Sequence, residues 1–202
     1  MNNPRNIFAK ISVAVTIVLA IATAAVAKKH TDPAFSNIHI GNFGKMDDRF
    51  YRGAQPDEQD LKDLAALGIK TVIDLRNDPV GYEKAGAEAA GMRYVNIPMS
   101  DKDYPKAEQI ASFLKLVDDP ATGKFFVHCA GGKHRTGVMG AIYRFTHDHW
   151  NYDQVYAEMK DYNFSTAWGH SNMKKYVEDY WAGIESKQNQ SAASATAAAT
   201  KQ

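Results

Sequence analysis

The sequence HCAGGKHRTG occupies residues 128–137 and contains the chain's one cysteine, Cys129, with Arg135 following after five intervening residues. The apolar run at 124–127 in front of it predicts a buried strand, and residues 138–145 behind it can continue as a helix. The sequence therefore places Cys129 on a loop between the end of a strand and the N-terminus of a helix.

This position predicts a reactive thiol. A helix N-terminus offers unpaired backbone N–H groups and a partial positive charge, and a loop with Gly131 and Gly132 can turn such groups inward to cradle an oxyanion. The same field lowers the pKa of Cys129 and favours the nucleophilic thiolate. The planar guanidinium of Arg135 can hold two phosphate oxygens at once. The pattern therefore predicts attack on phosphorus and a cysteinyl-phosphate intermediate.

The Cys-x5-Arg-Thr signature resembles that of the cysteine-dependent protein tyrosine and dual-specificity phosphatases, above all their compact atypical group in bacteria, plants and fungi. The stretches at 51–56, 71–76 and 96–101 recur in similar order in that family, so the resemblance covers about residues 38–165. It implies that Cys129 and Arg135 are catalytic. The loop residues it implies for substrate binding are His128, Ala130, Gly131, Gly132, Lys133, His134 and Thr136.

The family also supplies an aspartate general acid from a separate loop upstream of the cysteine. Here the loop at 99–105 carries two candidates, Asp101 and Asp103. We prefer Asp101, because Asp103 can instead help to start the helix that follows.

Four loop residues have further expected roles. In the resembling enzymes the histidine before the cysteine tunes the thiolate, so His128 is expected to orient the loop. The Thr136 hydroxyl can donate to the Cys129 sulfur when phosphate departs. Lys133 and His134 add positive charge, which either recruits substrates with more than one phosphate or faces solvent.

The leading hypothesis is a phosphatase of phosphotyrosine, and of phosphoserine or phosphothreonine, on proteins. The alternatives are a phosphatase of phosphoinositides or inositol pyrophosphates, and a phosphate-binding pseudo-phosphatase without turnover. A lone cysteine can also be a small buried hydrophobe. A rhodanese-type sulfur transferase also has an anion-binding cysteine loop, but it usually lacks the five-residue gap to an Arg-Thr pair.

The ends of the chain differ in composition from the middle. Arg5 and Lys10 precede an apolar run at 11–26, and Ala25-Val26-Ala27 fits a cleavage site, so residues 1–27 are predicted to be a signal peptide. An uncleaved membrane anchor is the alternative, and the run is short for one. Residues 186–202 are predicted to be a disordered tail. Residues 28–185 are then the phosphatase domain of a periplasmic or secreted protein.

The domain is predicted to be α/β, with a mostly parallel sheet of about four to five strands flanked by helices. The extended segments are 37–40, 49–52, 71–75, 94–98 and 124–128. The helical ones are 57–67, 83–90, 106–117, 135–147, 152–162 and 173–184. The near-neutral charge, +1 overall, gives no reason to expect nucleic acid or a membrane surface as a partner. We expect a monomer acting on phosphorylated proteins or small molecules, without a metal or other cofactor.

Overall fold

The computed structural model describes residues 28–29 and 33–199. The predicted signal peptide, residues 1–27, lies outside the described residues. Among those described, no helix combines the length and the apolar character needed to cross a bilayer.

Within residues 28–29 and 33–199, six strands form one sheet in the order β1-β2-β3-β6-β4-β5. The strands are β1 (Lys28–Lys29), β2 (Gly44–Lys45), β3 (Phe50–Gly53), β4 (Thr71–Arg76), β5 (Arg93–Met99) and β6 (Phe125–His128). The three pairings among β3, β6, β4 and β5 are parallel, whereas β1 and β2 add two short antiparallel pairings at one edge. The predicted α/β fold with a mostly parallel sheet is confirmed.

Six α-helices accompany the sheet in the part of the chain that the structure describes. They are α1 (Glu58–Ala66), α2 (Glu83–Ala89), α3 (Ala107–Asp118), α4 (His134–His147), α5 (Tyr152–Asp161) and α6 (Ser171–Ala199). Their starts follow local chemistry, as the side chains of Asp57 and Asn151 cap α1 and α5 in reciprocal capping boxes. After α1 the chain turns at Gly68, which has a φ of 91°.

Alternating side chains of the strands build two apolar layers. Phe125 and Val127 face the layer that holds α3, α4 and the start of α6, whereas Phe126 faces the layer below α1 and α2. The period of two therefore turns His128 to the α1–α2 side of the sheet, and the next residue, Cys129, joins the opposite cluster.

The short strands β1 and β2 were not among the predicted extended segments. Two of the predicted segments also differ in the structure. Residues 38–40 are not in a strand, although Ile38 and Ile40 are buried. Their alternating apolar pattern reflects the burial of these side chains and not hydrogen bonding to a neighbouring strand. Helix α6 continues to Ala199, through residues whose composition predicts disorder, with the side chains of 186–196 exposed. Alanine has the highest helix propensity, which favours a helix there without packing. Ile184, beside the predicted domain boundary, still packs against the core.

Candidate active site

The cysteine loop, residues 129–133, joins the central strand β6 to α4. Cys129 follows the last residue of β6, and α4 begins at His134. Strands β3 and β4 flank β6 on its two sides, so the loop emerges at the carboxyl edge of the parallel part of the sheet. Sites of parallel α/β sheets form at this edge.

The loop takes a shape that requires glycine at Gly132. Its φ is 64°, and a Cβ atom there would lie 2.4 Å from the carbonyl carbon of Gly53. The Gly132 carbonyl points into the protein, where it accepts hydrogen bonds from Arg52 Nη2 at 2.9 Å and Asn42 Nδ2 at 2.8 Å. In a trans peptide the next N–H points the opposite way. The Lys133 N–H is thereby turned towards the concave side of the loop.

A second carbonyl of the loop is held in the same manner. The backbone N–H of Gln55 donates to the carbonyl of Ala130 at 3.2 Å. The following N–H, that of Gly131, again points away from this anchor. In two peptide groups of the loop the carbonyl is thus hydrogen-bonded to the protein and the N–H points away from that bond. This is the arrangement of an anion-binding nest.

Cys129 is only 3% exposed. Burial alone raises the pKa of a thiol, but the Thr136 hydroxyl and backbone N–H beside the sulfur outweigh it, together with the charges of Arg135 and His128. Thr136 Oγ1 has no hydrogen-bond partner of ordinary distance and angle among the described residues, so its hydroxyl is free to turn to the thiolate. The net result is that the pKa of Cys129 is lowered. The loop therefore stabilises the thiolate, which is the nucleophilic form.

Arg135 lies across the concave side of the loop, 6% exposed. Its Nη1 donates to the carbonyl of Met99 and to Asn77 Oδ1, both at 3.2 Å. These two partners stand at the ends of β5 and β4. The Nε atom is buried and has no hydrogen-bond partner among the described residues. The guanidinium is thus fixed by the sheet, and its Nε is a buried donor that no described residue satisfies.

His128 belongs to a fully buried cluster on the other face of the sheet. Its Nε2 lies 2.6 Å from Glu83 Oε1 and 3.8 Å from Asp74 Oδ1, and all three side chains are 0% exposed. Tyr94 donates to Asp74 Oδ2 at 2.8 Å, and Gln55 Nε2 donates to Glu83 Oε2 at 2.8 Å. Burial and the bond to Asp74 raise the pKa of Tyr94.

The ligand atoms of Asp74, Glu83 and His128 all lie within 4.8 Å of one another, close enough to raise the question of a metal ion. A zinc ion needs about 2.0–2.2 Å to each nitrogen or oxygen ligand, with its ligands spread tetrahedrally. The 2.6 Å between Glu83 Oε1 and His128 Nε2 is too short for two ligands of one zinc ion and is a direct contact between the two side chains instead. Its angles are not those of a hydrogen bond, since both atoms lack a hydrogen-bond partner among the described residues. This arrangement fits a cluster that fixes the His128 ring behind the nucleophile.

The loop after β5 brings the candidate acid towards the cysteine loop. Asp101 has a half-exposed side chain, and its Oδ2 lies 3.9 Å from His170 Nε2. The Asp103 side chain is exposed, while its backbone N–H donates to Ser100 Oγ at 3.2 Å. Of the two candidates, Asp101 is the one tied to the other elements of the site.

His134 stands between these groups. Its ring stacks on that of His170, with the centroids 3.5 Å apart and the planes 4° apart. Burial and the proximity of His170 lower the pKa of His134 to about 4. A pKa this low leaves the positive charge in this part of the loop at neutral pH to Lys133, which is exposed.

The sequence did not single out several residues that complete the site. They are Asn42, Arg52, Asn77, Glu83 and His170. Each lies far from the cysteine loop along the chain, and only Arg52 stood within a stretch that carried the family resemblance. Arg76 pairs with Asp78 at 2.9 Å.

A family model described as "DSP-PTPase phosphatase fused to NAD+ Kinase" matches residues 33–179. The chain belongs to this family. The predicted kinship with the dual-specificity phosphatases is thus confirmed.

Three curated relatives illustrate the range of the family. The probable NAD kinase 2 of rice is 35% identical over 45% of this chain and 10% of its own length. The dual specificity protein phosphatase TpbA of Pseudomonas aeruginosa is 29% identical over 59% of this chain and 53% of its own. The inositol diphosphatase DSP1 of rice is 32% identical over 50% of this chain and 48% of its own. The chain thus spans between a tenth and about half of these relatives.

Solved structures agree with the fold. The crystal structure of TpbA superposes with a TM-score of 0.62 at 26% identity, covering 78% of this chain and 91% of that one. A structure of a TpbA variant in complex with phosphotyrosine gives a TM-score of 0.61 at 25% identity, with 77% and 90% coverage.

Proposed function

We propose that this protein hydrolyses phosphate monoesters through a cysteinyl-phosphate intermediate. One observation carries the proposal. A buried thiol with a lowered pKa shares its loop with an arginine whose buried Nε has no partner. A phosphoryl group seated on the loop would meet the nucleophile, the inward N–H groups and this free donor together. Stabilisation of developing negative charge by such fixed donors is usually the largest contribution to catalysis.

In the first step the Cys129 thiolate attacks phosphorus. The sulfur–phosphorus bond forms as the bond from phosphorus to the ester oxygen breaks, and that oxygen leaves with a proton from Asp101. Arg135 and the loop N–H groups hold the oxygens of the transferring group. The half-exposed position of Asp101, next to the cysteine loop, suits a group that meets a leaving group arriving from solvent.

In the second step water attacks the cysteinyl phosphate. The Asp101 carboxylate takes a proton from this water, the phosphorus–sulfur bond breaks, and inorganic phosphate leaves. Thr136 makes the departing sulfur a better leaving group, because its hydroxyl and N–H hydrogen-bond the thiolate. The same hydrogen bonds therefore serve both steps.

Phosphotyrosine is the substrate that we favour. The support is the TpbA structure, which binds phosphotyrosine and resembles this chain over most of its described length. Phosphorylated proteins are then the expected partners, and we expect the enzyme to act as a monomer.

Inositol pyrophosphates are the second candidate. The observation that favours them is the similarity to the inositol diphosphatase of rice. The exposed Lys133 side chain offers a cation beside the loop for a second phosphate.

The proposed site of action is outside the cytoplasm, after removal of residues 1–27.

Phosphate release from a phosphotyrosine peptide, an inositol pyrophosphate and para-nitrophenyl phosphate tests the proposal. The wild type should turn over the peptide faster than the inositol compound. Cys129→Ser should abolish all turnover yet still bind vanadate, because the cradle is backbone and Arg135. A variant that keeps full activity would refute the role of Cys129. Binding by the wild type without turnover of any substrate would identify a pseudo-phosphatase.

A further inference from the structure

His170 stands at a junction between three parts of the molecule. It follows the turn Ala167–Gly169 and immediately precedes α6. Its ring lies on the ring of His134 from the cysteine side, and its Nε2 faces Asp101 on the acid loop. With a side-chain exposure of 12%, it is largely withdrawn from solvent, so these contacts define its environment.

Hydrogen bonding determines which ring nitrogen of His170 carries a fixed proton. Nδ1 lies 2.7 Å from the carbonyl oxygen of Ala167. A carbonyl oxygen only accepts, so Nδ1 must be the donor. The other ring nitrogen, Nε2, lies 3.9 Å from Asp101 Oδ2. The hydrogen bond to the backbone thus directs Nε2 at the candidate acid.

The stacking fixes the direction of that atom. Near-parallel rings with centroids 3.5 Å apart leave the imidazole of His170 little freedom to tilt. Because His134 has a pKa of about 4, it is neutral at physiological pH and does not repel a charged partner. Among the described residues, Lys133 of the cysteine loop also acts on the charge of His134. The Lys102 side chain lies beside Gly169, the residue before His170.

We propose that His170 is the positioning residue of the general acid, orienting Asp101 through the contact between its Nε2 and Asp101 Oδ2, 3.9 Å apart. The inference rests on the proposed function, in which Asp101 protonates the leaving oxygen. Because the His170 ring is bonded to the Ala167 carbonyl and stacked on His134, it keeps this contact next to the cysteine loop, where the ester oxygen departs.

Two substitutions separate the contacts of His170. In His170→Asn the amide can still donate to the Ala167 carbonyl but is too short to reach Asp101. In His170→Gln the longer amide can reach Asp101 but cannot titrate. We expect His170→Asn to lower kcat with a phosphotyrosine peptide about tenfold, a part of the usual contribution of a general acid. With para-nitrophenyl phosphate, whose leaving oxygen needs no proton, the loss should be less than about twofold.

His170→Gln should recover part of the peptide activity while the high-pH limb of its rate profile moves. The matched control is His147→Gln, because His147 pairs with Asp118 at 2.8 Å on an exposed part of α4 away from the loop. This control should behave as the wild type with both substrates. The rate of Cys129 alkylation by iodoacetate should be the same in every variant, which verifies that the cysteine loop is intact.

The double variant Asp101→Asn/His170→Asn decides between positioning and a general structural role. If His170 acts through Asp101, the double variant should be no slower than Asp101→Asn alone. The proposal would be overturned if the losses caused by the two substitutions multiplied, or if His170→Asn lost equal activity with the peptide and with para-nitrophenyl phosphate. A changed rate of Cys129 alkylation would overturn it as well. If Asp101→Asn itself shows no dependence on the leaving group, the assignment of the acid fails. If it does and His170→Asn does not, only the role of His170 fails.

Discussion

Arg52 donates from Nη2 to the carbonyl oxygen of Gly132, at 2.9 Å, from beneath the cysteine loop. The guanidinium is 1% exposed, lies 4.0 Å from the ring centroid of Tyr162, and has a buried Nε without a partner among the described residues. Burial lowers the pKa of Arg52. A buried cation is thus held against a backbone carbonyl to shape the loop.

Replacing Arg52 should separate activity from stability. In Arg52→Met a buried charge that forms no salt bridge among the described residues is exchanged for an apolar side chain, so the free energy of unfolding should stay within about 2 kcal/mol of the wild type. The carbonyl of Gly132 loses a charge-assisted hydrogen bond and the thiolate loses a nearby cation. Turnover should fall at least about tenfold. Urea unfolding and steady-state kinetics measure the two effects, and unchanged turnover would show that the loop does not need this anchor.

Gly132→Ala should damage the loop more than Gly131→Ala. At Gly132 the new methyl group would need a φ of 64° and would overlap the backbone of Gly53, whereas at Gly131 the nearest neighbour is the Lys133 side chain at 3.8 Å. A loop displaced by about 1 Å can lose about 100-fold in rate. We expect that loss in kcat/KM for Gly132→Ala alone. Similar effects of the two substitutions would contradict the steric argument.

Thr136→Val should raise the pKa of Cys129, because the hydroxyl that hydrogen-bonds the thiolate is removed while the shape is retained. The pH dependence of alkylation by iodoacetate measures this pKa directly. The variant should also accumulate cysteinyl phosphate, seen as a burst of the first product. Thr136→Ser, which keeps the hydroxyl, serves as the control and should resemble the wild type. If the pKa of Cys129 is unchanged in Thr136→Val, the backbone N–H of Thr136 is the group that lowers it.

Arg135→Lys should lower kcat/KM at least about tenfold, because a lysine cannot reproduce two parallel donors and one lost charge-assisted hydrogen bond costs about 1.5–3 kcal/mol. The lysine also cannot hold Met99 and Asn77 together in the present geometry. Activity within twofold of the wild type would show that charge alone suffices.

The lowered pKa of Cys129 links stability to pH. Between the pKa of Cys129 in the folded protein and about 8.5 in the unfolded chain, the unfolded chain binds the extra proton. The free energy of unfolding due to this group should therefore rise with pH through that window, and be lost as pH falls through the folded pKa. Urea unfolding of the wild type and Cys129→Ser, compared from about pH 5 to about pH 9.5, should show a growing difference. A difference that shrinks with pH would mean that burial dominates.

The features that depend on short, continuous segments of the chain could be predicted from the sequence. Apolar runs predicted strands β3 to β6 within a residue or two, and one motif placed Cys129 and Arg135 on the same loop. The contacts that complete the site join distant segments, as Asn42 reaches Gly132 and His170 reaches His134. Nothing near His170 or Glu83 distinguishes them from ordinary polar residues, because their roles arise only when the sheet register and the start of α6 bring them to the loop. The catalytic roles remain predictions.

Because of the strand order, the backbone that carries the nucleophile and the backbone that carries the general acid differ in mobility. The nucleophile stands at the end of β6, which is hydrogen-bonded on both sides, whereas the acid follows β5, the last strand at its edge. Amides of a doubly paired strand exchange with solvent only through large cooperative openings, and those of a loop beside an edge exchange through small local ones. Hydrogen exchange should thus be slow at the end of β6, where phosphorus is attacked, and fast in the loop after β5, where the departing oxygen receives its proton.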